Sequence, residues 1–261
     1  MLFNKEFDLV ISLGEDCACT SYLRRFNLQD YSFPFDWLTK ASFETRINLL
    51  VNDFENFLNK ENLVLIPKPK NTNVDNKHDY YKDTVLDFYF YHDFKSNTNF
   101  EKEFIDVKNK YLRRIERLYN AIESSENILF VWWSRDKHQD EAIINSSYDK
   151  LKDKFKNKEI YLLIIEFSEI QITKDLCNNK VLLIQYDNVS YKHNPKWNET
   201  MGNEANNLKI FSQIRKLRTM SWYLRIFIFK LVKFFIGLIP NQSLRHKLKN
   251  DWSYKFFKNK L

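Results

Sequence analysis

Residues 7–17 read FDLVISLGEDC, and this stretch decides the fold. Residues 7–13 form a short apolar run with β-branched Val10 and Ile11, the composition of a buried, parallel strand. Gly14 permits a turn, and residues 16–26 continue as a helix. A strand that passes into a helix in this way is the unit of α/β sheets, whose ligands bind beyond the carboxyl ends of the strands. Cys17 stands at this junction. A thiol near a helix N-terminus meets unpaired N–H groups and the positive end of the dipole, and both favour the nucleophilic thiolate. Cys17 is therefore the candidate nucleophile, weighed against the tendency of free cysteines simply to pack in cores. Cys19 falls on another helix face and reads as core. Ser12 is the alternative nucleophile at the same junction.

Working outward, residues 31–37 (YSFPFDW) read as a structured loop. Residues 42–58 read as an amphipathic helix with Ser42 as its N-cap. A short strand is expected at 63–66, a mobile polar loop at 67–82 and an aromatic strand at 86–91. A long helix over 100–122 follows, then a strand (127–133), a helix (140–155) and two further strands (159–165 and 181–186). This alternation predicts an α/β fold with a mostly parallel sheet and flanking helices, plus a C-terminal basic amphipathic helical tail.

The charge divides the chain at the same place. Of the 41 Lys and Arg, 12 lie in residues 215–261 beside a single acid, Asp251. That segment carries +11, and residues 1–214 carry −4. The expected domains are therefore a body, 1–214, and a tail, 215–261. A body with this balance is not a nucleic-acid-binding surface. The three glycines are too scattered for a dinucleotide or Walker-type loop. The three cysteines, without CxxC pairs, fit neither a disulfide scaffold nor a structural zinc site. No metal or cofactor is expected. The N-terminus enters a strand almost at once, so no signal peptide is expected and a reducing cytoplasm is the natural compartment. Heavy use of Lys, Asn, Ile and Phe points to an AT-rich bacterial genome.

Residues 12–38 (SLGEDCACTSYLRRFNLQDYSFPFDWL) resemble the opening block of a bacterial domain family of unknown function, described as putative papain-like cysteine peptidases. The block comprises SLG, Cys17, Leu23-Arg24 and Pro34-Phe35-Asp36-Trp37. Two further blocks follow: His92-Asp93-Phe94, and the basic helix with Tyr111, Arg113, Arg114, Glu116 and Arg117 ahead of the strand at 128–131. The resemblance spans roughly residues 7–190. The family's strand often ends Phe-Val-Arg, whereas this chain has Phe130-Val131-Trp132-Trp133, with the next arginine at Arg135. The resemblance implies a cysteine hydrolase. It also implies a glycan context, because such genes often sit among those for surface polysaccharide assembly. Papain-like folds pack helices on an antiparallel barrel-like sheet, so the α/β pattern read here conflicts with that label.

A thiol hydrolase needs a base and a group to orient it. His92, after the aromatic strand and inside a resemblance block, is the expected base, with Asp36 as orienter. Asp93 would point away from His92 in a regular strand. Arg24, Asp93, Arg113 and Arg114 are the expected substrate-binding groups, the arginines for a phosphate or carboxylate. Asp187 and His193, after the last strand, form an alternative acid and base on an esterase-like plan. His78, His138 and His246 read as solvated.

In the tail, residues 222–239 are apolar over a spanning length but include Arg225, Lys230 and Lys233. At about 100° per residue these cations and Arg218 share an arc of about 140°. Such a helix is expected to lie in the plane of an anionic membrane surface. The expected protein is thus cytoplasmic and peripheral on the inner face of the membrane. Its expected substrate is a glycan or lipid-linked glycan. Its activity is thiol-dependent hydrolysis or acyl transfer, with a cysteine-independent glycosyl- or group-transferase, or a non-catalytic assembly factor, as alternatives.

Overall fold

A computed structural model describes residues 2–68, 77–134, 138–187, 203–218, 220–241, 243–245 and 248. The chain divides into two compact units, Met1–Lys216 and Leu217–Leu261.

The first unit is mixed α/β and contains more than one sheet. Five strands form the first: β2 (Leu9–Ser12), β7 (Asn127–Trp133), β8 (Glu159–Phe167), β10 (Val181–Tyr186) and β9 (Ile172–Leu176), in that spatial order. The first four run parallel, and β9 pairs antiparallel with β10 at the edge. Helix α1 (Cys17–Arg25) leaves β2, and α4 (Glu141–Lys154) connects β7 to β8. Between α1 and β7 the chain inserts α2 (Phe43–Val51), a second sheet and the long helix α3 (Phe100–Glu123). That second sheet is wholly antiparallel: β3 (Thr39–Lys40), β6 (Phe88–Lys95), β5 (His78–Asp83) and β4 (Leu63–Ile66). The short β1 (Glu6–Phe7) pairs in parallel with β11 (Arg215–Lys216), just after α5 (Glu204–Phe211).

Alternation along the parallel strands builds two cores. Leu9, Ile11, Ile128, Phe130, Ile160, Leu162, Ile164, Val181 and Leu183 face α2, α3, α4 and the second sheet. Val10, Leu129, Val131, Tyr161, Leu163, Ile165, Leu182 and Ile184 face α1 and α5. Both faces are covered, so the strands read as continuous apolar runs rather than as alternating ones. Each such side chain contributes about 1.5–3 kcal/mol by leaving water.

The second sheet corrects the expectation of one mostly parallel sheet. Its strands β4 and β6 fall where strands were expected, but β5 lies where a loop was expected: Tyr80 packs edge-on against Tyr91, and Tyr81 at a tilt against Phe94 of β6. The aromatic pairs outweigh the polar character of the residues around them. The helix expected to run to residue 58 stops at Val51. Asp53, Phe54, Asn56 and Leu58 take left-handed backbone angles there. Those conformations cost about 1 kcal/mol or more each. They are offset because Phe54, Phe57 and Leu58 turn into the core, Phe54 against Phe35 and Phe57 against Phe88 and Tyr111. Ser42 does cap α2, its hydroxyl accepting the Thr45 N–H.

One fully buried cation joins the two sheets. Arg46 of α2 gathers with Nη2 the carbonyls of Glu15 (3.2 Å), Leu38 (3.1 Å) and Lys40 (2.9 Å). Its guanidinium lies 5.4 Å from the Phe35 ring centroid and 5.0 Å from that of Phe88. Burial lowers its pKa to about 10, so it stays protonated at neutral pH.

The second unit is built around α6 (Met220–Gly237). Leu224, Phe227, Ile228, Leu231, Phe234, Phe235 and Leu238 are exposed, at the spacing of one helical face. The side chains of Arg225, Lys230 and Lys233 lie outside the described ones. Among the described residues no helix is long and apolar enough to cross a membrane.

Replacing Arg46 by Met removes the donor for three carbonyls while keeping the volume. We expect a loss of about 3 kcal/mol, read as a lower urea midpoint at unchanged denaturant slope.

Candidate active site at the carboxyl edge of the parallel sheet

The turn after β2 stays tied to β7. Leu13 N–H donates to the Val131 carbonyl (2.7 Å) and Glu15 N–H to that of Trp133 (3.0 Å). A Cβ at Gly14 would lie 2.3 Å from Cys19 Cβ, so only glycine permits this crossing of turn and helix. Asp16 then caps α1, its carboxylate accepting the Ala18 N–H at 2.7 Å. Cys17 is thereby the first residue of α1, half-buried at the sheet's carboxyl edge. Cys19 is buried, its Sγ 3.6 Å from the Val131 carbonyl, and burial pushes its thiol up to about 12. Ser12 is also fully buried, with its hydroxyl accepting the Gly14 N–H. It offers no accessible nucleophile.

The remaining expected residues divide. Asp36, fully buried in a short 3-10 turn (Pro34–Trp37), does not orient His92. Its oxygens accept from Thr20 (3.2 Å), Gln29 (2.7 Å) and the Phe33 N–H (2.9 Å), with Arg24 at 3.6 Å. Burial raises its pKa against these donors. It fastens the PFDW turn under α1. His92 is exposed on the second sheet, its ring 6.2 Å from that of His78. The β5–β6 register shifts beside it, and the shift turns Asp93 inward. Asp93 accepts from Tyr111 (3.1 Å) and Lys110 (2.5 Å) of α3. Asp187 is exposed, its carbonyl accepting from Asn203, and His193 lies outside the described residues.

A polar row that the sequence did not reveal crosses the carboxyl edge. Glu15, nearly buried after β2, accepts from Ser134 Oγ (2.8 Å), just past β7. Ser134 N–H donates to the Ile165 carbonyl on β8, beside Glu166. Glu166 pairs in register with Gln185 of β10. Glu166 Oε2 accepts from the Gln139 N–H (3.1 Å) and Gln185 Nε2 (3.3 Å), and His138 Nδ1 stands 3.6 Å away. Its Oε1 meets no donor in ordinary hydrogen-bond geometry, although the Trp132 side chain is near enough to lower the Glu166 pKa against burial. Burial raises the Glu166 pKa to about 7. A buried carboxyl in an apolar strand and a histidine read as solvated carried no spacing signal. Only the strand register brings them together.

A second cluster lies toward the other end of α1. Arg24 donates to Ser32 Oγ (2.7 Å) and lies 5.2 Å from the Trp37 ring centroid. Arg117 donates to the Ser32 carbonyl (3.1 Å). Buried nitrogens of Arg114 (Nη1) and Arg117 (Nε) have no partner. Burial, with Arg114 and Arg113 nearby, lowers the Arg117 pKa. Arg113 itself is exposed. Where the resembling family carries an arginine after Phe-Val, Trp132 and Trp133 are fully buried, and Trp133 donates to Asn207 of α5 (2.8 Å). Arg135 lies outside the described residues.

The family model described as "Putative papain-like cysteine peptidase (DUF1796)" matches residues 8–169, more than half of the chain. The chain belongs to this family. An uncharacterized protein of Acanthamoeba polyphaga mimivirus is 28% identical over 156 residues, 56% of this chain and 69% of its own length. No solved structure matches the chain. Within this papain-like peptidase family region lie Cys17, Asp36, His92, His138 and Glu166. Asp187, His193 and the tail lie outside it. Among the described residues no group of His, Cys, Asp and Glu could hold a metal ion.

Glu166 gives the site a pH signature. Its folded pKa, about 7, exceeds the ordinary 4.5, so the folded state holds the proton longer. Its contribution is greatest below pH 4.5 and is lost as pH rises toward 7, a change of about 3 kcal/mol. Glu166→Gln should remove this slope. The check is the difference in unfolding free energy between wild type and variant from pH 4.5 to 8.

Proposed function

We propose that the chain is a thiol-dependent hydrolase with Cys17 as nucleophile. The observation that carries this reading is the position of Cys17. It is the first residue of a capped helix, half-exposed, at the carboxyl edge of the parallel sheet and inside the region matched by the family. The helix N-terminus favours the thiolate, and the sheet edge is where ligands of such folds bind. The thiolate adds to a substrate carbonyl carbon. The C–S bond forms, the bond to the leaving nitrogen or oxygen breaks, and the leaving group takes up a proton. Water then cleaves the thioester and restores the thiol. An alcohol in place of water would make the same intermediate an acyl-transfer step. Cys17→Ala should abolish turnover at unchanged melting temperature. Iodoacetamide should label Cys17 well ahead of Cys19, as read by peptide mass spectrometry. A Cys17 that labels no faster than Cys19 would oppose this reading.

A specific observation favours a second reading. The unpartnered guanidinium nitrogens of Arg114 and Arg117, with Arg24 beside them, suit an anionic group on the substrate. In a transferase without a covalent intermediate, these arginines would hold a phosphate-bearing donor and Cys17 would be structural. Calorimetric titration with sugar nucleotides separates the two readings.

The tail supports a location. An exposed apolar stripe on α6, in a segment carrying +11, fits an anionic membrane surface and hence a peripheral position on its cytoplasmic face. A lipid-linked or surface glycan is the substrate class consistent with that position. Deleting residues 217–261 should abolish sedimentation with phosphatidylglycerol vesicles, and added salt should weaken binding of the full chain.

A further inference from the structure

We infer that Arg24, Arg114 and Arg117 seat a phosphate group of the substrate whose acyl carbon Cys17 attacks. The inference rests on the thiol-hydrolase reading and names its substrate class: a carboxylic ester or amide that also carries a phosphate ester. Three observations carry it. First, the guanidinium groups converge from two helices on one loop residue. Arg24 of α1 donates to Ser32 Oγ (2.7 Å), and Arg117 of α3 donates to the Ser32 carbonyl (3.1 Å). Arg114, one turn before Arg117, stands over the Tyr111 ring with its Cζ 5.2 Å from the centroid. Its charge is felt by both Asp36 and Arg117. Second, this positive charge is not matched within the fold. Neither Arg114 nor Arg117 forms an ion pair among the described residues, and Arg114 Nη1 and Arg117 Nε are buried without a hydrogen-bond partner. The unpartnered nitrogens of Arg46 belong to a fully buried side chain set against Phe35 and Phe88, whereas Arg24, Arg114 and Arg117 reach the surface. The neighbouring carboxylates are committed elsewhere. Asp36 accepts from Thr20, Gln29 and the Phe33 N–H, Asp93 accepts from Lys110 and Tyr111, and Asp30 pairs with Lys216. Even with Asp36 ionised, 3.6 Å from Arg24, the three guanidiniums leave an excess of about +2, which a phosphate monoester of about −1.5 to −2 balances. Third, Cys17 and the cluster share one surface. Seven residues of helix bring a side chain back to within about 20° of its starting direction and about 10 Å along the axis. Arg24 therefore lies on the Cys17 face of α1. Cys17, Ser21 and Arg24 reach solvent along that stripe, and the rest of α1 is buried except Arg25, which pairs with Glu204 of α5.

The donor set selects phosphate over a carboxylate. Each guanidinium fork meets two oxygens, so three forks suit an anion with at least three oxygens and more than one charge. Ser32 and the Trp37 ring, 5.2 Å from Arg24 Cζ, hold Arg24 in place before any ligand arrives. With the phosphate seated, the part of the substrate about 10 Å away along α1 is what meets Cys17 Sγ. The arginines thereby choose which carbonyl reaches the thiolate. They touch the phosphate and carry no proton.

The test uses a matched pair of thiol reagents: a bromoacetamide on an alkyl chain of about 10 Å ending in an alcohol, and the phosphate monoester of the same compound. Rates of Cys17 labelling by both are read by peptide mass spectrometry in wild type, Arg114→Gln, Arg117→Gln and Lys102→Gln. Lys102→Gln removes the same charge from the exposed first turn of α3. In each variant the neutral reagent reports whether the surroundings of the thiol survive. We expect the phosphate reagent to label wild-type Cys17 at least about 10-fold faster than the neutral one, and to saturate. Each arginine substitution should bring that ratio toward one, and Lys102→Gln should preserve it. A wild-type ratio near one, with fast neutral labelling of Cys17, overturns the phosphate seat and leaves Cys17 as nucleophile. A high ratio that survives both arginine substitutions overturns the seat as well. Neutral labelling of Cys17 no faster than that of Cys19 overturns the thiol reading and this substrate class with it.

Discussion

The guanidinium of Arg46 is the constraint on which the site depends. A buried charge is costly unless it is met on all sides by polar groups or aromatic faces. Here three backbone carbonyls meet Nη2 and the rings of Phe35 and Phe88 flank the guanidinium, while Nε and Nη1 are buried without a hydrogen-bond partner. Those carbonyls come from Glu15, in the turn before Cys17, and from Leu38 and Lys40, at the root of the second sheet. The turn that presents the thiol is therefore tied to the antiparallel sheet through Arg46 of α2, with Lys40 of β3 3.8 Å from the Glu15 carboxylate beside it. Asp36 does the same work from the other side of α1, through Thr20 and Gln29. The thiol turn is held at both ends by groups that are themselves unavailable for chemistry.

Asp36 and Glu166 are both fully buried, and burial raises the pKa of each. They differ in how their oxygens are used. Both oxygens of Asp36 are met by donors, and so it fixes a turn. Glu166 Oε2 accepts from the Gln139 N–H and Gln185 Nε2 with His138 3.6 Å away, while Oε1 meets no donor in ordinary hydrogen-bond geometry. An unsatisfied buried acceptor costs roughly 1–3 kcal/mol, and Glu166 shares this feature with Asp83, which caps the turn after β5.

Much of the scaffold was legible. The strands at 127–133 and 181–186 and the helix beginning at Cys17 stand where apolar runs and caps place them, because they are buried on both faces or ended by strong local signals. Residues 53–58 escaped because their left-handed angles are sustained only by Phe54, Phe57 and Leu58 packing into the core. β5 escaped because its stability lies in cross-strand aromatic pairs with β6. His92 attracted attention by its neighbours in the chain, whereas His138, in a polar loop, did not.

By itself the sequence determined the parallel strand–helix unit at residues 7–26, the placement of Cys17 at its junction and the separation of an acidic body from a basic tail. These follow from composition and local spacing, which act over a few residues. Only the tertiary structure decided which groups stand beside that junction. Strand order placed Glu15, Ser134, Glu166 and Gln185 in one row, and it assigned Asp36 to the turn beneath α1 rather than to a histidine. The reason is physical: the β2–β7 register joins residues more than a hundred positions apart, and the donors around Asp36 and Glu166 come from separate elements that only the packed fold brings to them.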